Sequence, residues 1–318
     1  MPASVAVRPE RSLLSVPASS ERFFAKAAAS AADTIMLDLE DSVAPDQKDA
    51  ARQRVVGVLN GMDWASKTVL VRVNGLDTPW AYKDLIAVAE ACPRLDGVMV
   101  PKVDTPRDVQ FVESLLEQVE RGVRRARPIG IEILVESAKG LANVEAIAAA
   151  SPRLEAISFG PGDFAASIGN RGKRIGGPDP SYAVLTDPDG NGNRQRHWGD
   201  VWHFALARIA VACRANGLRP IDGVYVDFND PDGYKAAARR SLALGFEGKW
   251  CIHPSQIALA NEVYSPTTEE IAWAKQLLSA MDEAHHAGTG AIQIKGQMID
   301  MAHVRQAERV MAKVKAMG

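Results

Sequence analysis

The chain has 318 residues, 47% of them hydrophobic and 24% charged, with a formal net charge of −2. This suits one large domain with a small appendage and gives no general attraction for nucleic acid or an anionic membrane. No apolar run approaches the ~20 residues that span a bilayer, and residues 1–9 lack the charged and apolar regions of a signal peptide, so the expected location is cytoplasmic.

Short apolar runs alternate with helical segments along the whole chain. The predicted strands are residues 12–16, 34–39, 69–73, 97–101, 131–135, 156–159, 220–224 and 249–252. Between them lie amphipathic stretches. Thr105-Pro106-Arg107-Asp108 reads as an N-cap, a Pro at the first helical position and an acid in the first turn. Val109, Val112, Leu115, Leu116 and Val119 then form one apolar stripe. Asp230-Pro231 and Ser265-Pro266 open later helices in the same manner. Eight such repeats favour an α/β fold, a closed parallel (β/α)₈ TIM barrel, over residues 10–262. The rival is an open doubly wound sheet, but no Gly-x-Gly-x-x-Gly follows the first strand.

Residues 170–200 break the rhythm. They hold four Asp, many Gly, Pro, Asn and Arg, and little periodicity. The expectation is a long loop on the catalytic face, acting as a lid or binding element. Beyond Ser265, helices over about 265–287 and 303–317 flank a hairpin over residues 288–300. No strand position remains for this tail, so residues 263–318 form an appended C-terminal domain. Cys92, Cys213 and Cys251 show neither metal-site nor disulfide spacing and read as small buried apolar residues.

Two carboxylates carry the chemistry. Glu136 closes the run Ile131-Glu132-Ile133-Leu134-Val135, and Asp163 follows Ala156-Ile157-Ser158-Phe159-Gly160-Pro161-Gly162. Acids at the ends of successive barrel strands point into the catalytic mouth. Two hard oxygen ligands with room for substrate and water suit Mg²⁺. The bland alternative for Asp163 is a cap on the following helix.

Other charged residues occupy the same level. Asp38-Leu39-Glu40-Asp41 ends the second run, and strand alternation sends Asp38 and Glu40 to one side. Either these acids serve caps and salt bridges, or they hold metal-bound water and fix Arg72. Arg72, inside an apolar strand, either binds a carboxylate or developing oxyanion or makes a structural ion pair. Lys102 after Val98-Met99-Val100-Pro101 either supplies positive charge to the site or pairs with Glu40 or Asp41. His253 is a general base or, given Pro254 and the helix behind it, a positioning residue. His197, His203, His285, His286 and His303 read as surface or packing residues. Asp300, in Lys295-Gly296-Gln297-Met298-Ile299-Asp300, reads from periodicity as the N-cap of the last helix.

Leu37-Asp38-Leu39-Glu40-Asp41-Ser42-Val43, Arg72-Val73-Asn74-Gly75, Val100-Pro101-Lys102-Val103, Val135-Glu136-Ser137, Ser158-Phe159-Gly160 with Asp163, and Lys249-Trp250 with Ile252-His253-Pro254 together resemble the citrate lyase β-subunit group of the HpcH/HpaI aldolase superfamily. Asn74-Gly75-Leu76-Asp77-Thr78, Arg196-His197-Trp198 and Ala260-Asn261-Glu262-Val263 make the pattern most similar to its malyl-CoA lyase branch, which also cleaves β-methylmalyl-CoA. The resemblance runs from Arg11 to the last helix.

The resemblance implies a TIM barrel with a C-terminal lid that reaches over the active site of a neighbouring subunit in a homo-trimer or hexamer. It implies Mg²⁺, with Mn²⁺ as the alternative ion, on Glu136 and Asp163. Arg72 would meet the acyl and glyoxylate groups, with Gly162 and Asp163 beside the substrate. Asp38, Glu40, Asp41 and Lys102 would support that site from behind. Lys26, Ile252 and His253 would lie along the coenzyme A site. Asp300, from the adjacent chain, would be the acid/base, its pKa raised by desolvation under the lid.

The implied reaction is reversible Claisen-type cleavage of malyl-CoA to acetyl-CoA and glyoxylate, and of β-methylmalyl-CoA to propionyl-CoA and glyoxylate. The alternatives are a citramalyl-CoA lyase releasing pyruvate, a malyl-CoA or citramalyl-CoA thioesterase, and a non-catalytic acyl-CoA-binding paralogue. Two departures stand out. Ser15 and Ser20 occupy positions where some members carry an aromatic and an Arg for coenzyme A. Val224-Tyr225-Val226 follows Asp222-Gly223 where relatives usually have Pro-Phe-Gly.

Overall fold

The computed structural model describes residues 8–172, 174–286, 292–294 and 296–317. The leader reading of residues 1–9 and the tail hairpin over 288–300 therefore fall partly outside the described residues. The chain divides into two compact units, Glu10–Val263 and Tyr264–Gly318.

Eight parallel strands close the first unit into a barrel: β1 (Ser12–Pro17), β2 (Thr34–Asp38), β3 (Thr68–Arg72), β4 (Gly97–Val100), β5 (Gly130–Val135), β6 (Leu154–Phe159), β9 (Arg219–Asp222) and β10 (Gly248–Cys251). Two short strands, β7 (Ala183–Leu185) and β8 (Arg196–Trp198), lie between β6 and β9 in the chain and stay outside the barrel. Barrel strands are buried on both faces. Every residue of β2 through β6 is buried accordingly, which is why they read as unbroken apolar runs. One side chain from each strand packs into a common interior cluster: Leu13, Met36, Leu70, Met99, Leu134, Ala156, Ile221 and Trp250. The barrel is thus a packed core whose chemistry belongs at its C-terminal mouth.

Each predicted run matches one barrel strand, and the differences sit at the ends. Leu39 and Val73 lie past their strands, yet still donate to Arg72 O (2.9 Å) and Met99 O (3.1 Å). The seventh run, residues 220–224, stops early because the chain leaves the sheet at Gly223. A Cβ there would lie 2.0 Å from Phe159 O, so only glycine allows this approach to β6.

Residues 170–200 are not the structureless loop expected. β7 and β8 pair as an antiparallel hairpin, with Ala183 opposite Trp198 and Leu185 opposite Arg196. Its turn is organised by Asp189, whose Oδ1 accepts from Asn191 N (2.9 Å) and Asn193 N (2.8 Å). Three-residue strands are too short to leave a period in the sequence.

The second unit packs the helix Thr268–His286 and the helix Met301–Ala316 on a hairpin of β11 (Ile292–Ile294) and β12 (Gln297–Ile299). Ala274, Leu277, Met281, Ile294, Ile299, Val304 and Ala307 form its core. The first of these helices starts after Thr267, not at Ser265-Pro266. Thr267 Oγ1 accepts from Glu270 N (3.1 Å) while Glu270 Oε2 accepts from Thr267 N (2.8 Å), a reciprocal capping box. The helix Pro106–Val123 follows Thr105 as predicted. Cys92, Cys213 and Cys251 are free and buried. No helix among the described residues is long and apolar enough to cross a membrane.

Candidate active site

Five neighbouring strands deliver one charged group each to the mouth. Asp38 ends β2, Arg72 ends β3, and Lys102, Glu136 and Asp163 follow β4, β5 and β6. Pairing of β2 with β3 sets Asp38 beside Arg72. Arg72 Nε lies 2.7 Å from Asp38 Oδ1 and Nη2 lies 2.8 Å from Oδ2, the two-pronged geometry that makes Arg–carboxylate pairs strong. Its Nη1 sits 2.9 Å from Glu40 Oε2. Asp38 also accepts from Glu40 N at 2.9 Å and Ser42 N at 3.3 Å. Burial pushes Asp38 up, but Arg72 and Ser42 outweigh it and hold it below the usual carboxylate range. The acids of this turn therefore do fix Arg72.

Lys102 serves both readings. Its Nζ is 2.7 Å from Glu40 Oε1 and 3.6 Å from Asp41 Oδ1. Its backbone takes φ +54, in the left-handed region, at a cost of about 1 kcal/mol. Its N–H donates to Glu136 Oε1 at 2.8 Å. Lys48, unremarked in the sequence, donates from Nζ to Leu39 O (2.8 Å) and Glu40 O (2.6 Å), so it braces the same acidic turn.

Glu136 is buried, and burial, with the charges of Glu40 and Asp163, pushes its pKa up to about 8. Gly160 makes room for it: a Cβ there would lie 2.4 Å from Glu136 Cβ and 2.5 Å from Oε2. Asp163 occupies the first turn of the helix Pro161–Ser167, whose cap position belongs to Gly160. Asp163 is therefore not the cap that the bland alternative required.

Glu136, Asp163, Asp41 and Arg72 line one cavity of about 220 Å³. Arg72 is already engaged by two acids, so the remaining carboxylates leave an excess of negative charge. Such a cluster is costly unless a cation compensates it. Among the described residues no group of three or more His, Cys, Asp or Glu could enclose an ion. Two carboxylates with open positions fit Mg²⁺, which keeps waters or substrate oxygens in its shell.

The rest of that cavity is mostly apolar, lined by Leu134, Phe159, Trp250, Ile175, Val224, Val226 and Ile252, with Ser15 from β1 beside them. Trp250 donates from Nε1 to Ser158 Oγ (3.0 Å), and its ring lies 5.6 Å below Arg72 Cζ. A second cavity of about 280 Å³ shares Asp41 and is bordered by Lys48, Asn74, Thr78, Trp80 and Lys102.

This geometry has known counterparts. The profile of the HpcH/HpaI aldolase/citrate lyase family matches residues 11–254. The chain belongs to this family. The L-malyl-CoA/beta-methylmalyl-CoA lyase of Cereibacter sphaeroides is 49% identical over 302 residues, 95% of this chain and 93% of the relative. The malyl-CoA/beta-methylmalyl-CoA/citramalyl-CoA lyase of Chloroflexus aurantiacus is 38% identical, over 95% of this chain and 87% of the relative. The crystal structure of CitE from Mycobacterium tuberculosis in complex with magnesium, acetoacetate and coenzyme A aligns with a TM-score of 0.71 at 30% identity, covering 96% of this chain and 98% of that one.

Within the family framework, three sequence candidates stand apart from the cavity's lining. Lys26 is exposed in the last turn of the helix Arg22–Ala28. His253 is exposed, with Nδ1 2.8 Å from Ser255 Oγ and its ring stacked on Phe228 at 4.8 Å. The bond at Nδ1 orients the ring and leaves Nε2 outward, which both readings allow. Asp300 caps the helix Met301–Ala316, accepting from Ala302 N at 2.9 Å with His303 Nδ1 at 2.9 Å. In the single chain it is exposed, and the bonds from His303 and Ala302 lower its pKa. His197, His203, His285 and His286 are exposed, as anticipated. The sequence reading missed Trp250, Ser158, Gly160 and Ile175 as site residues. Trp250, Ser158 and Gly160 stand inside the motifs that carry the family resemblance; Ile175 gave no signal.

Proposed function

We propose that the protein is a divalent-cation-dependent carbon–carbon lyase. It would cleave (S)-malyl-CoA to acetyl-CoA and glyoxylate, and β-methylmalyl-CoA to propionyl-CoA and glyoxylate, in reversible Claisen-type chemistry. One observation carries this reading: Glu136, Asp163 and Arg72 border one cavity together with a set of apolar side chains, Asp41 and Ser15 being its other polar residues. Acids that hold a cation, a cation that meets an enolate and a dry wall for a short carbon chain are what the reaction requires.

Glu136 and Asp163 would hold Mg²⁺, or Mn²⁺ in its place. When bound, the ion supplies Lewis-acid polarisation of the 2-oxo acid carbonyl. Gly160 and the Lys102 N–H keep Glu136 aimed at that position. Arg72, locked by Asp38 and Glu40, presents its remaining N–H groups to the thioester oxygen and stabilises the enolate charge that develops as the bond to glyoxylate breaks. Because Asp38 fixes the fork beforehand, little reorganisation is needed at the moment of reaction.

The carbon proton needs an acid/base. Asp300 of a neighbouring copy takes this role in our reading: as the acid it protonates the enolate carbon in cleavage, the hydroxyl proton of malyl-CoA passing to solvent as the glyoxylate carbonyl forms, and as the carboxylate it removes the carbon proton in condensation, when the new hydroxyl takes a proton from solvent. Arrival of the second unit over a neighbour's barrel would desolvate Asp300 and couple closure to turnover. The active form is then a homo-oligomer, a trimer or hexamer, and the thioester substrates suit a cytoplasmic enzyme.

The test is a panel of acyl-CoA substrates with products identified by mass, with and without Mg²⁺. Glyoxylate and acetyl-CoA are expected from malyl-CoA. Free malate as sole product would replace the lyase with a thioesterase, and pyruvate release from citramalyl-CoA alone would replace the substrate. Mixing Asp300→Asn and Glu136→Ala proteins tests the shared site, because each lacks a different half. Recovery of activity in the mixture supports the neighbour's Asp300; its absence at full assembly removes it.

A further inference from the structure

The cavity's apolar side is held more rigidly than a substrate-contacting loop needs to be. The segment 223–226 leaves β9 and is fastened on three flanks. At its start, Gly223 packs backbone to backbone on Phe159. On one side lies the strap Ile175-Gly176-Gly177. Gly176 takes φ +80, and a Cβ on it would lie 2.0 Å from Val224 O. The strap is itself anchored, since Trp202 Nε1 donates to Gly177 O at 2.9 Å. On the other side Gln256, fully buried, donates from Nε2 to Tyr225 O (2.8 Å) and accepts from Ile252 N (2.8 Å). The outcome is a fixed set of aliphatic side chains, Ile175, Val224, Val226 and Ile252, lining the same cavity as Arg72, Glu136 and Asp163, with Ile175 beside Gly162.

The two sides divide a substrate chemically. Oxygens belong with the charged side. What faces the aliphatic row is carbon and hydrogen, and in an acyl-CoA that is the substituent on the carbon next to the thioester carbonyl. We propose that Ile175 and Val224, backed by Val226, form the wall that measures this substituent, admitting hydrogen or methyl and rejecting longer chains. This rests on the lyase reading above and extends it to the residues that set acyl-chain choice. Gln256 and Gly176 act as positioning residues, since they hold the wall rather than touch substrate. An apolar wall discriminates one methylene by roughly 10–200-fold when it cannot yield, which is the use of fastening it on three flanks.

The experiment measures kcat/KM for acetyl-, propionyl- and butyryl-CoA against glyoxylate, and for glyoxylate and pyruvate against acetyl-CoA, with full-length protein. Ile175→Ala and Val224→Ala should each raise the butyryl-to-propionyl ratio about 10-fold or more. Val224→Leu should move the opposite way, lowering propionyl relative to acetyl. Gln256→Leu should blunt the discrimination while leaving the acetyl-CoA reaction less affected than the ratio. Variants that leave all donor ratios unchanged overturn the proposal. A change confined to the glyoxylate-to-pyruvate ratio also overturns it, by placing the wall at the 2-oxo acid. Wild-type protein that turns over none of these substrates overturns the lyase reading instead. Dissociation constants of the three thioesters then still decide the wall, because the butyryl-to-propionyl binding ratio must shift in the same alanine variants.

Discussion

Both ends of the barrel bury carboxylates around an arginine, and the two cavities described above lie beside the cluster at the mouth. At the mouth, Arg72 is gripped by Asp38 and Glu40 while Glu136 and Asp163 border a 220 Å³ cavity. At the floor, Arg219 lies 2.8 Å from Glu132 Oε1, 3.2 Å from Glu10 Oε2 and 3.5 Å from Glu155 Oε2. The floor residues line neither cavity described above. In composition the two clusters are near twins. What separates a site from a structural plug is therefore where in the strand the charge sits: the strand's start at the floor, its end at the mouth, where loops leave room for a ligand.

The widest expected separation is in turnover. Glu136→Ala with Asp163→Ala should cut turnover by about 10³-fold or more, since a bound metal supplies several kcal/mol of transition-state stabilisation. Fold and thermal stability should persist, because removing two crowded acids relieves repulsion. Mg²⁺ titration by calorimetry, flat in the double variant and saturable in the wild type, checks it. A wild-type enzyme indifferent to chelation would remove the metal from the reading.

Next come the two arginines, whose loss should fail in different currencies. Arg72→Lys keeps a charge but loses the fork onto Asp38, and turnover should drop about 10²–10³-fold with the melting curve little changed. Arg219→Met leaves three buried carboxylates without their cation and should cost about 3–5 kcal/mol of stability, while the activity per folded molecule stays near wild type. Denaturant titration beside steady-state kinetics separates them. If Arg219→Met cut turnover in fully folded protein, the floor would have to be counted as part of the site.

A smaller effect is expected at Gly160. Alanine there meets Glu136 Cβ at 2.4 Å, so Glu136 must move off its bond from Lys102 N. The apparent affinity for Mg²⁺ should weaken more than kcat falls, read from the Mg²⁺ dependence of turnover. An unchanged Mg²⁺ requirement would show that Glu136 can shift freely.

The mouth was far more legible in the sequence than the floor. Asp38, Arg72, Lys102, Glu136 and Asp163 each sit at or just past an apolar run, so strand position alone gathers them. The eight strands were legible for the same reason, since burial on both faces leaves no polar alternation to confuse the reading. What escaped depends on partners distant in the chain. Trp250 meets Ser158 across 92 residues, and Ile175 reaches the cavity from an insert without periodicity. Glu10, Glu132 and Arg219 come from three separate segments, and nothing in any one run signals the other two. His253 was readable as a base or a positioning residue from its place after the last strand, but its partners Phe228 and Ser255 are set by loop geometry.

The floor offers the finest test of the comparison, through pH. Glu10 Oε1 and Glu132 Oε2 are both buried without a donor, and both side chains pair with Arg219 through their other oxygens. That arrangement is satisfied when one of them carries a proton. Burial first, then the neighbouring Glu10 and Glu155 charges, push Glu132 well above the usual carboxylate range, against the pull of Arg219. The folded protein thus holds this proton to higher pH than the unfolded chain does. The resulting stability is complete below the ordinary Glu range of about 4.3 and is lost as pH rises through the raised folded value. Glu132→Gln imitates the protonated form, still able to accept from Arg219 and donate to Glu10. As pH rises from the ordinary Glu range through the raised folded value, the wild type should lose a few degrees of Tm that the variant keeps, with equal turnover per folded molecule at the mouth. Parallel melting curves for the two proteins across that range would mean that the floor carries no proton, and that its resemblance to the mouth goes no deeper than composition.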